Sequence, residues 1–259
     1  MSLYKLSTPS FNYILQNEQT AFDQTTPTQK TLIAMVGLPA QGKSYFGNRL
    51  EKKGFLQYGG KNKMKVKVFN AGAKRRTDTD IKQTAEWFAK QKNYKEIIAM
   101  ETLDDSIKWL NSSKNNNSAI FDATNSTQKR RKNIYNLLEK HTNIDLVFVE
   151  IVCPNKKICD LNILHKIASS PNYKDVDIKQ AKRDFEKRIS IYKKDFVSIV
   201  NKKEEQYNYV RLVIPKCLGK SRGQIICNNI SPFHWIVKYC DAVPGFLKSD
   251  ERVKKVSSY

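Results

Sequence analysis

The stretch IAMVGLPAQGKSY, residues 33–45, decides the fold of this chain. It begins inside the apolar run TLIAMVG (31–37), which is short and continuous, as in a parallel strand that is buried on both faces. From Gly37 onward, GLPAQGKS fits the pattern G-x-x-x-x-G-K-[S/T] of a phosphate-binding loop, and GKSYFGNRLEKKGF then has helical spacing. Since a strand precedes the pattern and a helix follows it, the sequence predicts a phosphate-binding loop; an ordinary strand-to-helix turn is the alternative.

Each residue type in this loop has a chemical reason. Gly37 and Gly42 allow the backbone to curl so that its N–H groups form an anion-binding nest. The positive end of the following helix adds to the attraction. Lys43 can reach the β- and γ-phosphates of a nucleotide, and the Ser44 hydroxyl can ligate Mg²⁺. The loop therefore predicts a nucleotide with Mg²⁺, but it does not specify a reaction.

A second apolar strand-like segment ends in a carboxylate. SAIFDATN (118–125) places Asp122 where a strand ends, which is where a phosphate-binding-loop protein holds its Mg²⁺-side aspartate. The alternative is that Asp122 caps a helix. Thr124, Asn125 and Ser126 already supply capping residues, which favours the metal-side role.

Two pairs of arginines follow strand ends. FNAGAKRRTD (69–78) carries Arg75 and Arg76, and TNSTQKRRKN (124–133) carries Arg130 and Arg131. Ligands of open α/β sheets bind at this edge, and arginine matches phosphate oxygens in a bidentate manner. We expect a second phosphate-bearing ligand opposite the nucleotide; a solvated basic helix start is the alternative for each pair taken alone.

Strand-like and helix-like segments alternate along most of the chain. This order predicts a mostly parallel sheet with helices on both faces, a three-layer α/β/α fold of the phosphate-binding-loop class. We expect a polar arm at residues 1–30, one folded domain at 31–243 and a basic tail at 244–259. Further strands are predicted at 64–72, 145–153, 209–215 and 223–229, and helices at 79–92, 94–111, 127–141, 155–168 and 176–200.

Composition bounds the function classes. The 259 residues are 40% hydrophobic, which excludes global disorder. No apolar run reaches the length of a membrane span, and no secretory leader is visible. Five scattered cysteines without a CxxC pair indicate reduced thiols in a cytoplasmic protein. The net charge of +21 attracts anions such as nucleic acid, acidic membrane or phosphorylated metabolites, although lysines on solvated helix faces also explain it.

Six motifs occur in one register: GLPAQGKSY, VFNAGAKRR, FDATNSTQKRR, VFVEIVC, NILHKIASSPNY and DFEKRISIY. In this order and spacing, residues 31–243 resemble the kinase domain of the 6-phosphofructo-2-kinase/fructose-2,6-bisphosphatase family. The resemblance implies transfer of the ATP γ-phosphate to the 2-hydroxyl of fructose 6-phosphate. The product would be fructose 2,6-bisphosphate, a regulator of glycolysis.

The resemblance also implies roles for individual residues. Lys43, Asp122 and Cys153 would be catalytic, and Ser44 with Asp122 would hold Mg²⁺. Fructose 6-phosphate would be bound by Arg75, Lys95, Thr124, Arg130, Arg188 and Tyr192. Arg188 and Tyr192 stand one helical turn apart, so one helix face presents both. ATP would be bound by Gly37, Leu38, Pro39, Ala40, Gln41, Gly42, Lys43, Ser44, Tyr45, Asn162 and Lys166.

Three positions depart from the family pattern. Lys74 stands where the family usually has a tyrosine, and Lys95 stands for a sugar-phosphate arginine without its bidentate fork. The nucleotide-side lysine falls at Ile167 when counted back from Ser170-Pro171. The neighbouring Lys166 is expected to point about 100° away on a helix.

The sequence shows no Arg-His-Gly motif, and its histidines are His141, His165 and His234. We therefore expect no bisphosphatase activity. Family kinase domains often pair, so a homodimer is an open expectation. Two alternatives also remain open. One is a kinase for another phosphorylated acceptor, including nucleic-acid ends, although no aromatic and basic residues interleave as on a single-strand platform. The other is a nucleotide-binding relative with impaired catalysis.

Overall fold

The computed structural model describes residues 30–53, 65–78, 82–217, 223–230 and 233–250. Apart from Lys30, the predicted polar arm lies outside these residues. So do residues 251–259 of the predicted tail.

A six-stranded sheet forms the centre of the molecule, with strand order β2-β3-β1-β4-β5-β6. The first five strands in this order are parallel, and β6 runs antiparallel to β5. In the middle of the sheet, Ile33 pairs with Ile120 on one side and Val147 on the other. The strands are β1 (Lys30–Val36), β2 (Val66–Asn70), β3 (Ser118–Asp122), β4 (Ile144–Val152), β5 (Tyr209–Val213) and β6 (Gln224–Asn228).

Eight helices connect or flank these strands in the described part of the chain. They are α1 (Lys43–Lys53), α2 (Ala71–Thr77), α3 (Ala85–Lys90), α4 (Lys92–Asn111), α5 (Gln128–Leu138), α6 (Lys156–Ser169), α7 (Ile178–Lys194) and α8 (His234–Ser249). Within the described residues, every helix is too short or too polar to cross a bilayer.

Alternate residues of β1 enter two different cores. Ile33 and Met35 pack with Phe46 of α1 and with residues of α8, whereas Leu32 and Ala34 pack with α4 and α5. Because side chains alternate across a strand, a central strand covered on both faces must be apolar at every position. The prediction of a mostly parallel, three-layer fold is confirmed.

Helix α8 corrects one boundary. It continues without interruption from His234 to Ser249, with Pro244 inside it. Residues 244–249 therefore belong to this helix and not to a basic tail, and Val243 and Leu247 pack into the same core.

The parallel strands bring three polar segments to one edge of the sheet. Gly37 directly follows β1, and Asn70 and Asp122, the last residues of β2 and β3, are register partners. The carboxyl ends of parallel strands share one edge, which is where ligands bind in such folds.

Candidate functional site

A cavity of about 700 Å³ opens at this edge of the sheet. The phosphate-binding loop and the ends of β2 and β3 form one wall, and residues of α3, α4, α6 and α7 form the other. Its charged lining is mostly basic. Three acidic residues, Glu96, Asp122 and Asp195, stand among ten basic ones: Lys43, Arg49, Lys52, Arg75, Arg76, Lys92, Lys95, Arg130, Lys166 and Arg188.

The loop backbone has the conformation that an anion-binding nest requires. Gly37 has φ +139° and Gly42 has φ +101°, values that favour glycine. A Cβ on Gly37 would stand 2.8 Å from the Ile151 carbonyl oxygen, so only glycine fits beside β4. Ala40 also has a positive φ, of 64°. The Asn162 side chain of α6 donates to its carbonyl at 2.9 Å and so holds this strained turn.

Lys43 is buried inside the loop. Its Nζ donates to the carbonyl oxygens of Gly37 at 2.7 Å and Leu38 at 2.6 Å. Burial lowers the pKa of Lys43 to about 8, although the nearby Asp122 opposes this effect. The ammonium group is therefore placed at the centre of the anion nest, where a phosphate would replace the carbonyl contacts.

Two side chains donate hydrogen bonds to Asp122. The Ser44 Oγ donates to Asp122 Oδ2 at 2.7 Å, and the Asn70 amide donates to the same oxygen. Asn70 also accepts from the Ala73 backbone N–H at 2.7 Å and so caps α2. The carboxylate is fixed beside the first residues of α1.

Lys166 corrects a sequence expectation. It was expected to point away from the site, but its Nζ donates to Ser44 Oγ at 3.3 Å. Ile167, at the position of the family lysine, is buried with Ile163 of the same helix and Phe185 of α7. Because Ile163 and Ile167 pack against α7, Lys166 lies on a different side of the helix and faces the cavity.

The donor set fits Mg²⁺. The Ser44 hydroxyl and the Asp122 carboxylate are adjacent hard oxygen ligands, which Mg²⁺ prefers. In the described ranges, no cluster of three or more histidine, cysteine, aspartate or glutamate residues could hold a metal by itself. This pattern suits an ion that takes one or two protein ligands and is otherwise held by substrate phosphates.

In the same cavity, three cations surround one aromatic ring. The guanidinium carbons of Arg188 and Arg75 lie 3.9 Å and 4.5 Å from the ring centroid of Phe88. Lys95 Nζ lies 5.2 Å from the same centroid and 5.2 Å from that of Tyr192. The four basic and aromatic residues predicted for this ligand therefore meet, and the ring between them was missed by the motif analysis.

Hydrogen bonds orient these cations. Arg75 Nε donates to Gln83 Oε1 at 2.6 Å, and Arg188 donates to the Tyr173 hydroxyl at 3.1 Å. Burial lowers the pKa of Arg75 to about 10. Burial first, and then Arg75, lower the pKa of Lys95 to about 8. Cations that are held close together and partly shielded from water favour an anion between them.

One of the two predicted arginine pairs, Arg130 and Arg131, separates in the structure. Arg130 lines the cavity and forms a bidentate ion pair with Glu96 of α4. Arg131 is fully buried and pairs with Glu204, with Nε to Oε1 at 2.7 Å. The expectation that both arginines of this pair bind phosphate is therefore wrong for Arg131. Lys74, which precedes the other arginine pair, forms ion pairs with Asp105 and Glu101.

The remaining predicted residues occupy two cavities. Pro39, Tyr45 and Thr124 line the large one. A smaller apolar cavity of about 300 Å³ adjoins the loop and is lined by Gln41, Asn162 and Cys153, among others. The Cys153 N–H donates to Gln41 Oε1. A contact with Cys159 and burial raise the pKa of the Cys153 thiol. The backbone hydrogen bond to Gln41 ties Cys153 to the loop.

Comparisons with known proteins identify the family of this chain. The family described as 6-phosphofructo-2-kinase matches residues 18–234. A probable 6-phosphofructo-2-kinase of Schizosaccharomyces pombe is 33% identical over 216 residues, which cover 80% of this chain and 31% of that protein. A 6-phosphofructo-2-kinase of Saccharomyces cerevisiae is 32% identical over 213 residues, 79% of this chain and 24% of that protein.

The chain thus spans about a third or less of the length of these two relatives. A fungal RNA kinase structure aligns with a TM-score of 0.44 at 10% identity, over 86% of this chain and 88% of that one, which is too distant to carry an argument. The family match and the curated relatives are sufficient: this chain belongs to the 6-phosphofructo-2-kinase family.

Proposed function

We propose that this chain transfers the γ-phosphate of ATP to the 2-hydroxyl of fructose 6-phosphate. The single observation that carries the proposal is the arrangement of cations in the large cavity. A phosphate-binding loop with Lys43 stands at one end, and Arg75, Arg188 and Lys95 converge around Phe88 at the other. One cavity therefore offers separate anion sites to a nucleotide and to a phosphorylated acceptor.

At the nucleotide end, backbone N–H groups of the loop and Lys43 bind the phosphates. The adjoining apolar cavity, with the Asn162 amide at its edge, suits the base of the nucleotide. Ser44 and Asp122 would hold Mg²⁺, which supplies charge neutralisation on the phosphates when it is bound. Lys166, beside Ser44, adds a cation where negative charge develops on the transferred group.

At the acceptor end, Arg75 and Arg188 bind the 6-phosphate, and Lys95 and Tyr192 lie beside them. Arg130 can exchange its ion pair with Glu96 for a contact to this ligand. The sugar is thereby held with its hydroxyl towards Asp122, whose carboxylate can accept the hydroxyl proton. Positioning and charge neutralisation account for most of the catalysis of phosphoryl transfer.

The retained cations weigh against the alternative of an impaired relative. The family lysine is absent at Ile167, and Lys166 supplies a cation in its place. Lys95 likewise supplies a cation where the family has an arginine at the acceptor end. We also infer that this segment catalyses no bisphosphatase reaction, since it has no Arg-His-Gly motif. Incubation with fructose 2,6-bisphosphate should release no phosphate, and release would contradict this inference.

The test is ADP release from Mg²⁺-ATP, measured with and without fructose 6-phosphate. We expect release that requires the sugar phosphate, an acid-labile product, and loss of both in Lys43→Ala. Lys90→Ala, at an exposed lysine of α3, is the matched control and should behave as the wild type. ATP binding without sugar-dependent release would overturn the proposal and favour another acceptor.

A further inference from the structure

Two of the five cysteines lie against each other beneath the phosphate-binding loop. Cys153 follows the end of β4, and Cys159 lies in the first turns of α6. Cys159 Sγ donates to the Cys153 carbonyl at 3.3 Å, and Cys153 Sγ donates to the Asn155 carbonyl at 3.7 Å. The sequence indicated scattered, independent thiols; the turn from β4 into α6 brings these two into contact.

The side chain of Gln41 connects both cysteines to the loop. Its Oε1 accepts from the Cys153 backbone N–H, and its Nε2 donates to Cys159 Sγ at 3.8 Å. Gln41 stands between Ala40 and Gly42, which both have positive φ. A chemical change at the cysteine pair therefore acts directly on the most constrained part of the loop.

The two thiols differ in access and in acidity. Cys159 is partly exposed, and Cys153 is buried. Contact with Cys153 lowers the pKa of Cys159, and the same contact, together with burial, raises the pKa of Cys153. A thiolate with solvent access is the species that oxidants attack, so Cys159 reacts first.

We propose that a hydroperoxide oxidises Cys159 and Cys153 to a reversible disulfide, which weakens nucleotide binding by displacing Gln41. The Cys159 sulfur attacks a peroxide oxygen, the O–O bond breaks, and the released alkoxide or hydroxide takes a proton. The Cys153 sulfur then attacks the resulting sulfenic acid, the S–S bond forms, and the S–O bond breaks with release of water. The two electrons lost by the sulfurs reduce the peroxide, and a dithiol reverses the change.

The second step joins two residues that are already neighbours. Cys153 is buried beside Cys159, whose Sγ donates to the Cys153 carbonyl at 3.3 Å, so the buried thiol is in place to act as the resolving sulfur. Its position against Cys159 supplies a high effective concentration for this step.

The disulfide would reach the loop by two routes. Disulfide formation moves the Cys159 sulfur that accepts from Gln41, and a bond of about 2 Å draws the start of α6 towards β4. Asn162, on the same helix, holds the Ala40 carbonyl at 2.9 Å, so its contact shifts as well. The effect on the nucleotide rests on the proposed function, whereas formation of the disulfide does not.

The experiment treats the full chain with hydrogen peroxide and then maps its peptides by mass spectrometry, with ADP binding measured by calorimetry in parallel. We expect a Cys153–Cys159 cross-linked peptide and a fall in ADP affinity of about tenfold, as the loss of one buried loop hydrogen bond would produce. Dithiothreitol should reverse both. Cys159→Ser and Cys159→Ala should lose the cross-link and the peroxide sensitivity, each compared with its own untreated affinity.

Cys217→Ser is the control, since Cys217 is an exposed cysteine outside both cavities and its variant should respond to peroxide as the wild type does. The absence of the cross-linked peptide overturns the proposal. So does a cross-link that leaves ADP affinity unchanged. If the untreated wild type does not bind ADP at all, the proposed function has failed, and the peptide map still reports on the disulfide.

Discussion

At the scale of single residues, Lys166 gives a prediction that the family motif, which places the lysine at position 167, does not give. Its Nζ reaches Ser44 Oγ, and Ser44 is bonded to Asp122. We expect Lys166→Met to lower kcat by about 100-fold, because an electrostatic stabiliser of the transferred group is removed. Lys187→Met, at an exposed lysine of α7, should leave kcat unchanged. Equal kcat values for Lys166→Met and the wild type would show that this lysine has no part in the reaction.

The neighbouring position gives the complementary prediction. Ile167→Lys restores the family's residue type but places an ammonium in the contact between α6 and α7. We expect a loss of about 3 kcal/mol in the free energy of unfolding, since apolar burial is lost and a charge is buried without a partner. Urea unfolding measures it. Ile97→Lys, at an isoleucine that is 56% exposed, should cost little, and equal losses would contradict this account.

Lys95 gives a prediction for pH. Its pKa is lowered to about 8, so the ammonium is present at pH 7 and is lost as the pH rises through about 8. We expect the KM for fructose 6-phosphate to rise above pH 8 in the wild type. In Lys95→Arg this rise should move to higher pH, because a guanidinium stays protonated. The KM for ATP should keep its own rise above pH 8 in both proteins, since the pKa of Lys43 is also about 8.

At the scale of elements, the short helix α3 supports the acceptor site by contacting both helices that carry its arginines. Its Phe88 is buried, and Arg75 of α2 and Arg188 of α7 pack against its ring. Its N-cap Thr84 accepts from the Trp87 N–H, and the Ala85 N–H donates to Asp184 of α7 at 2.8 Å. Thus α3 links the two helices that carry the arginines.

We expect Phe88→Leu to raise the KM for fructose 6-phosphate about tenfold, because two cation–π contacts that orient the arginines are lost. The KM for ATP should change little, since the ring packs against Arg75 and Arg188, whereas Lys43 bonds to the carbonyl oxygens of the loop. Phe148→Leu, at a fully buried phenylalanine of β4, is the control for a general loss of stability. An equal rise of the sugar-phosphate KM in both variants would show that Phe88 has no positioning role.

At the scale of the whole molecule, a buried ion pair ties the segment between α7 and β5 to α5. Arg131 and Glu204 are both buried, and Asn201 also donates to Glu204 Oε2. We expect Arg131→Met to cost about 3–5 kcal/mol of unfolding free energy, since the carboxylate is left buried and unpaired. The double variant Arg131→Met/Glu204→Leu should recover part of this loss in urea unfolding.

The same variants separate structure from binding. Arg131→Met should keep the wild-type KM for fructose 6-phosphate at temperatures where it is folded, because Arg131 faces Glu204 and not the cavity. A large rise in this KM without a loss of stability would show that Arg131 takes part in binding the sugar phosphate.

Much of this architecture followed from the sequence alone. The loop of residues 37–44, its flanking strand and helix, and Asp122 at the end of β3 were predicted correctly, because their signals are local. Spacing along a few residues determines them, and the carboxyl ends of parallel strands must share an edge. The pairing of Arg188 with Tyr192 on one helix face followed from the same kind of short-range periodicity.

Other features were decided only by the tertiary structure. The rotation of α6 about its axis is set by packing of Ile163 and Ile167 against α7, and it turns Lys166 into the site. Packing likewise divides the adjacent Arg130 and Arg131 between the cavity and a buried ion pair. It also brings Cys153 against Cys159. The physical reason is common to all three: a sequence states which residues share a helix face, but the burial of that face against a partner decides which way the others point.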